Sequence, residues 1–186
     1  PFEWDDSRRM DRGKVMNKAD LDSSRDFGRY LDVDGDGIPF RTYPGTHPSR
    51  GSFFTRGTTR DAYARYTEEG GPYVENMIRL LRKFETAKSY VPAPIVDRTE
   101  GGARFGVLHY GSTAAPMEEA VDMLRKQGIA LDVMRLRAFP FSQDVDRFLA
   151  EHERVFVVEQ NRDAQLRTLL MVENGASADK LVSVLH

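Results

Sequence analysis

Three aspartates alternate with small residues in Asp32-Val33-Asp34-Gly35-Asp36-Gly37, the spacing that opens a calcium-binding loop. An EF-hand needs a bidentate Glu at position 12, and counting from Asp32 that position is Tyr43. Position 8 is Pro39, which has no N–H for a strand pair, and the loop is not repeated elsewhere in the chain. Aspartates alternating with glycines also build ordinary tight turns, because Gly accepts positive φ and Asp bonds to its own nearby backbone. The stretch therefore reads as a turn able to hold a weak structural cation at Asp32, Asp34 and Asp36.

Four other groups fall at the carboxyl ends of expected strands: Tyr110-Gly111-Ser112-Thr113, the pair Arg135 and Arg137, Phe139-Pro140-Phe141, and Glu159-Gln160-Asn161-Arg162. The first can cradle an anion at a helix start or serve as a strand-to-helix turn with a capping hydroxyl. It lacks G-x-G-x-x-G, so no dinucleotide fingerprint is present. The last gathers more polar side chains after "VFVV" than a helix cap by Asn161 and Asp163 requires. Arg135, Arg137, Glu159, Gln160, Asn161 and Arg162 are thus taken as an interface or anion-facing group. His47, His109, His152 and His186 are dispersed without zinc-ligand spacing, and no G-x-S-x-G elbow occurs. No catalytic residue is assigned.

Positioning these groups falls to two regions of different character. Residues 1 to 72 are polar and rich in Gly, Asp and Arg, with Pro39, Pro44, Pro48 and Pro72 interrupting any long element. "DRGKVMNKADLDSSRDFGRY" offers at best a short helical turn, so the region reads as an irregular connector wrapped on neighbouring domains. From Tyr73, Val74, Met77, Ile78, Leu81 and Phe84 recur at helical spacing, and "VPAPIVDRTEGGA" reads as a linker completing residues 73 to 102.

Residues 103 to 186 alternate strand and helix. Strands are expected in "RFGVLHYGS", "IALDVMRLRAF", "RVFVVEQ" and "KLVSVLH". Between them, Pro116 suits the first turn of a helix burying Met117, Ala120, Val121 and Leu124, which Gly128 ends. Ser142 caps a second helix burying Val145, Phe148 and Leu149, and Asn161 a third carrying Ala164, Leu166, Leu169 and Leu170. The fold class is α/β, a mostly parallel sheet with helices on both faces and ligands expected at the strand carboxyl ends.

A net charge of −2 and a pI near 6.1 supply no attraction for nucleic acid or an anionic membrane. Without Cys the chain offers no disulfide, thiolate nucleophile or iron–sulfur ligand, which suits a reducing cytoplasm. No apolar run approaches a membrane span. The chain begins at Pro1 without a Met and stops at His186 after an apolar run, as an excised part of a longer polypeptide does.

The blocks "FGRYLDVDGDGIPFRTYPGTHPSRGSFFTRGTTRDAYARYTE", "NMIRLLRKFETAK", "GVLHYGST", "RLRAFPF" and "VFVVEQNRDAQLRTLL" occur in this order. Together they resemble the C-terminal part of the alpha subunit of 2-oxoacid:ferredoxin oxidoreductases, especially the 2-oxoglutarate type. The resemblance implies that residues 103 to 186 are similar to the transketolase C-terminal domain, with its last strand missing. It implies an enzyme in which alpha and beta subunits carry out thiamine-dependent oxidative decarboxylation of a 2-oxoacid with CoA, giving acyl-CoA, carbon dioxide and reduced ferredoxin. Thiamine diphosphate, Mg and an iron–sulfur cluster would belong to the whole enzyme, the cluster on the beta subunit, and none to this segment alone. Gly35-Asp36-Gly37 also looks like the start of a thiamine diphosphate motif, but the next asparagine is the distant Asn76. The alternative from another class is a non-enzymatic calcium-binding or interaction module using Asp32, Asp34 and Asp36.

Overall fold

A computed structural model describes residues 3–23 and 27–185, which form two compact units, Pro1–Thr86 and Ala87–His186. The possible helical turn read across 11–30 thus lies partly outside the described residues, as does His186.

The first unit has little regular structure. Helix α1 (Lys18–Asp22) starts at a capping box, in which the Asp20 N–H donates to Asn17 Oδ1 and the Asn17 N–H to Asp20 Oδ2. It buries Leu21, and Gly51 lets the chain approach closely, since a Cβ there would meet Thr42 and Leu21 at about 3 Å. Helix α2 (Gly70–Ala87) begins three residues before Tyr73, because Pro72 falls in its first turn, where a missing N–H costs nothing.

Helix α2 lies against the 32–38 loop with its polar face. Arg79, its one buried residue, donates from Nη1 to the Gly37 carbonyl at 3.0 Å, and Thr86 Oγ1 donates to the Asp36 carbonyl at 2.6 Å. Gly37 has φ +79°, and a Cβ on it would stand 2.3 Å from the Lys83 backbone nitrogen. Val74, Met77 and Leu81 lie on the opposite side and are exposed, Leu81 to 69%, while Ile78, also exposed, borders the cleft that Arg79 lines. The helical period was legible in the sequence; the inward side is the polar one.

The second unit is a five-stranded sheet in the order β1-β3-β2-β4-β5. Strands β2 (Phe105–Tyr110), β3 (Asp132–Leu136), β4 (Arg154–Glu159) and β5 (Leu181–Leu185) are parallel, as expected. The supposed linker contains an additional strand, β1 (Ile95–Asp97), antiparallel to β3 on the sheet edge. Its three residues are all exposed and follow Pro94, so it is too short to show a period and sits where a proline is tolerated.

Helix α3 (Ala114–Lys126) covers one face, packing Met117 and Val121 with Val107, Val133 and Val158. Helices α4 (Gln143–Glu151) and α5 (Gln165–Asn174) cover the other, packing Val145, Phe148, Leu166 and Leu170 with Leu108, Met134 and Val157. Gly106 makes the second face flat enough for α4: a Cβ there would lie 2.7 Å from the Phe148 ring and 3.1 Å from His152.

The amino end of the sheet is fastened by a buried polar pair. His152 Nε2 lies 3.1 Å from Asp132 Oδ2, and His152 Nδ1 lies 2.7 Å from the Phe148 carbonyl oxygen. The Thr99 N–H donates to Asp132 Oδ1 at 2.8 Å, and Arg98 spans Asp132 and Glu151. Burial by itself raises the Asp132 pKa, but the N–H groups of Thr99 and Ala103 and the His152 ring outweigh it and hold the carboxyl below its usual range.

Candidate functional site

After β2 the chain crosses to β3 on one side of the sheet centre, whereas β4 and β5 lie on the other, so the loops following β2 and β4 diverge. In open α/β sheets this divergence makes the crevice at the strand carboxyl ends. Ser112 Oγ donates to Gln160 Oε1 across it at 3.2 Å. Gly111–Thr113 form a single 3₁₀ turn leading into α3, with Gly111 at φ +61° and no capping bond from Thr113. The turn expected at "YGST" is present, and its hydroxyl is used across the crevice instead of at the helix.

Glu159, Gln160, Asn161 and Arg162 divide between two roles. Glu159 is fully buried and accepts the Leu166 and Arg167 N–H groups at 2.8 and 3.2 Å, together with the Asn161 side-chain amide. Asn161 Oδ1 accepts the Gln165 N–H at 3.1 Å. Between them they satisfy three otherwise orphaned donors in the first turn of α5, whose positive end also favours the carboxylate. Ala164, expected inside this helix, is its left-handed N-cap at φ +51°. Gln160 and Arg162 remain exposed, the latter against Asp163 at 2.7 Å. Ser142 occupies the N-cap of α4, but its hydroxyl donates to Asp144 and makes no cap bond.

Arg135 and Arg137 lie in different clefts. Arg137 donates from Nε to the Ala93 carbonyl at 2.9 Å and lines a cleft of about 450 Å³ with Tyr110, Phe139, Phe141 and Leu166. Arg135 pairs in register with His109 of β2 on the α3 face, in a cleft of about 360 Å³. His109, which sequence reasoning set aside as dispersed, is 5% exposed. Its signal was the parity that places it on the same face as Val107, but the register with Arg135 belongs to the pairing of two strands and cannot be read from either alone.

The three loop aspartates receive cations from the chain itself. Lys14 Nζ stands 2.7 Å from Asp34 Oδ2 and 2.6 Å from Asp36 Oδ2, and Arg82 Nη1 stands 2.7 Å from Asp32 Oδ2. The Lys14 ammonium holds Asp36 below the usual carboxylate range. Among the described residues no three His, Cys, Asp or Glu side chains are grouped to hold a metal ion. At Asp32, Asp34 and Asp36, where the sequence suggested a weak structural cation, Lys14 and Arg82 provide positive charge from the chain itself. Asp36, committed to Lys14, does not fit the magnesium-binding Asp of a thiamine site, and a chain without Cys does not fit thiolate ligation of an iron–sulfur cluster.

No helix among the described residues is long and apolar enough to cross a membrane. Residues 103–185 match the family model for pyruvate:ferredoxin oxidoreductase core domain II. The chain is 29% identical over 175 residues to the alpha subunit of 2-oxoacid:ferredoxin oxidoreductase 2 from Aeropyrum pernix, matching 92% of this chain and 26% of that subunit. Its fold is similar to part of a chain of 2-oxoglutarate:ferredoxin oxidoreductase from Magnetococcus marinus, solved with 2-oxoglutarate, coenzyme A and succinyl-CoA bound. That likeness has a TM-score of 0.74 at 22% identity over 88% of this chain and 28% of the other. The resemblance to alpha subunits of this enzyme group is therefore borne out, and the chain spans about a quarter of the length of the relatives it matches.

Proposed function

We propose that this chain is the connector and transketolase-C-like domain of a 2-oxoacid:ferredoxin oxidoreductase alpha subunit, and that it holds the thiamine-carrying parts in position without supplying a catalytic group. The observation that carries the reading is the inverted packing of α2. A helix that turns Arg79 and Thr86 inward and leaves Val74, Met77, Ile78 and Leu81 exposed has its apolar side available for the remainder of the alpha chain. The matched alpha subunit carries about three quarters of its length outside the stretch it shares with this chain, so there is ample protein to cover that stripe.

On this reading residues 1–72 drape over neighbouring domains, residues 73–102 link, and residues 103–186 lack the final strand of the complete domain. The whole enzyme, with a beta subunit carrying the iron–sulfur cluster, decarboxylates a 2-oxoacid, 2-oxoglutarate first among them, in the cytoplasm. It transfers the acyl group to CoA and the electrons to ferredoxin. Thiamine diphosphate and magnesium are bound by its other parts. Gln160, Arg162 and Arg137, exposed at the strand carboxyl ends, face the partner. The test is anaerobic turnover of the full-length protein with its beta subunit: reduction of ferredoxin that requires 2-oxoglutarate, CoA and thiamine diphosphate together supports the reading. A cluster-loaded complex inactive with every 2-oxoacid overturns it.

A further inference from the structure

The cleft under the α3 face contains an imidazole whose Nδ1 has no hydrogen-bond partner among the described residues. His109 is nearly buried, and its Nδ1 is shielded from solvent without a hydrogen bond, an unfavourable arrangement for a polar atom. Its register partner Arg135 has no hydrogen-bonded or ion-pair partner among the described residues, whereas Arg125, on the same cleft, is taken by Asp97 at 2.7 Å. An unsatisfied imidazole beside an unused guanidinium, on rigid neighbouring strands, is a pair of donors awaiting an acceptor.

We propose that this cleft binds a small organic carboxylate, its oxygens between the Arg135 guanidinium and the His109 ring and its carbon chain against Met117, Val121 and Val133. The planar guanidinium fork matches a carboxylate in two directions at once. Glu118 lines the same cleft, which favours a single negative charge over a phosphate dianion. The volume, about 360 Å³, lies at the small end of ligand sites, and its apolar walls suit a hydrocarbon tail. The charged groups facing the ring are Arg135 and Asp97 from the strands and Glu118 and Arg125 from α3; on the β4 side its register partner is the apolar Val158. Burial and the Arg135 charge push the His109 pKa down, and Glu118 opposes them. A bound carboxylate offsets both depressing effects, so binding takes up a proton and tightens in mild acid.

Calorimetric titration of the full-length protein with hexanoate, at about pH 6 and about pH 8, tests the assignment. Hexanoate should bind, more tightly at the lower pH. Arg135→Gln, a change at an exposed side chain, should weaken binding about tenfold or more, the loss expected for one charge-assisted pair. Glu118→Gln, also at the surface, should strengthen it. Absence of hexanoate binding, binding unchanged by Arg135→Gln, or inorganic phosphate binding in place of hexanoate would each overturn the proposal.

Discussion

Lys14 Nζ bridges Asp34 Oδ2 and Asp36 Oδ2 at 2.7 and 2.6 Å, so a loop with the spacing of a calcium site is closed by an ammonium group. Wild-type protein should show no change in melting temperature or fluorescence on addition of millimolar calcium. Lys14→Ala should lower stability by about 1 kcal/mol, since the bridge is partly exposed. A micromolar calcium transition in the wild type would contradict this and favour a calcium-binding module.

Asp132 and His152 make the buried fastening at the amino end of the sheet. Because the folded-state pKa of Asp132 is depressed, its contribution is present above the ordinary carboxylate range and is lost as pH falls through the folded value, below about pH 4. Asp132→Asn should flatten the acid limb of a stability–pH curve measured by denaturant titration. Asp132→Ala, which strands the Thr99 N–H, Arg98 and His152, should cost about 3 kcal/mol at neutral pH.

Gly106 is required for contact and not for an unusual backbone. With its absent Cβ placed 2.7 Å from the Phe148 ring, Gly106→Ala should push α4 from the sheet and cost about 1–3 kcal/mol. Gly128→Ala makes an informative comparison: nothing crowds that position, and its penalty comes only from φ +77°. Equal losses that are both relieved by Phe148→Leu would contradict the packing explanation.

Much of the second unit was legible because its elements repeat a period. Val107 with Leu108 and Val133 with Met134 form the continuous apolar runs of strands covered on both faces, and Met117, Val121, Val145 and Phe148 recur as helices do. Strand β1 escaped detection because three exposed residues have no period. Glu159 looked like surface because a strand-end carboxylate reaching the helix seven residues on leaves no local pattern. The stripe on α2 was plain, but periodicity reports which residues share a side and is silent on what covers it. Likewise, no sequence spacing announces that Lys14 meets Asp34 or that His109 stands beside Arg135; tertiary pairing decides both.

The central claim is that the exposed side of α2 holds this chain to the rest of an oxidoreductase. The most direct measurement is native mass together with ferredoxin-reducing turnover of the full-length enzyme carrying Val74→Glu and Leu81→Glu. Both positions are exposed in the unit itself and distant from Arg79 around the helix, so the unit should still fold. The account predicts loss of the assembled complex and of turnover, with α2 helicity retained. An intact complex turning over at the wild-type rate would contradict it.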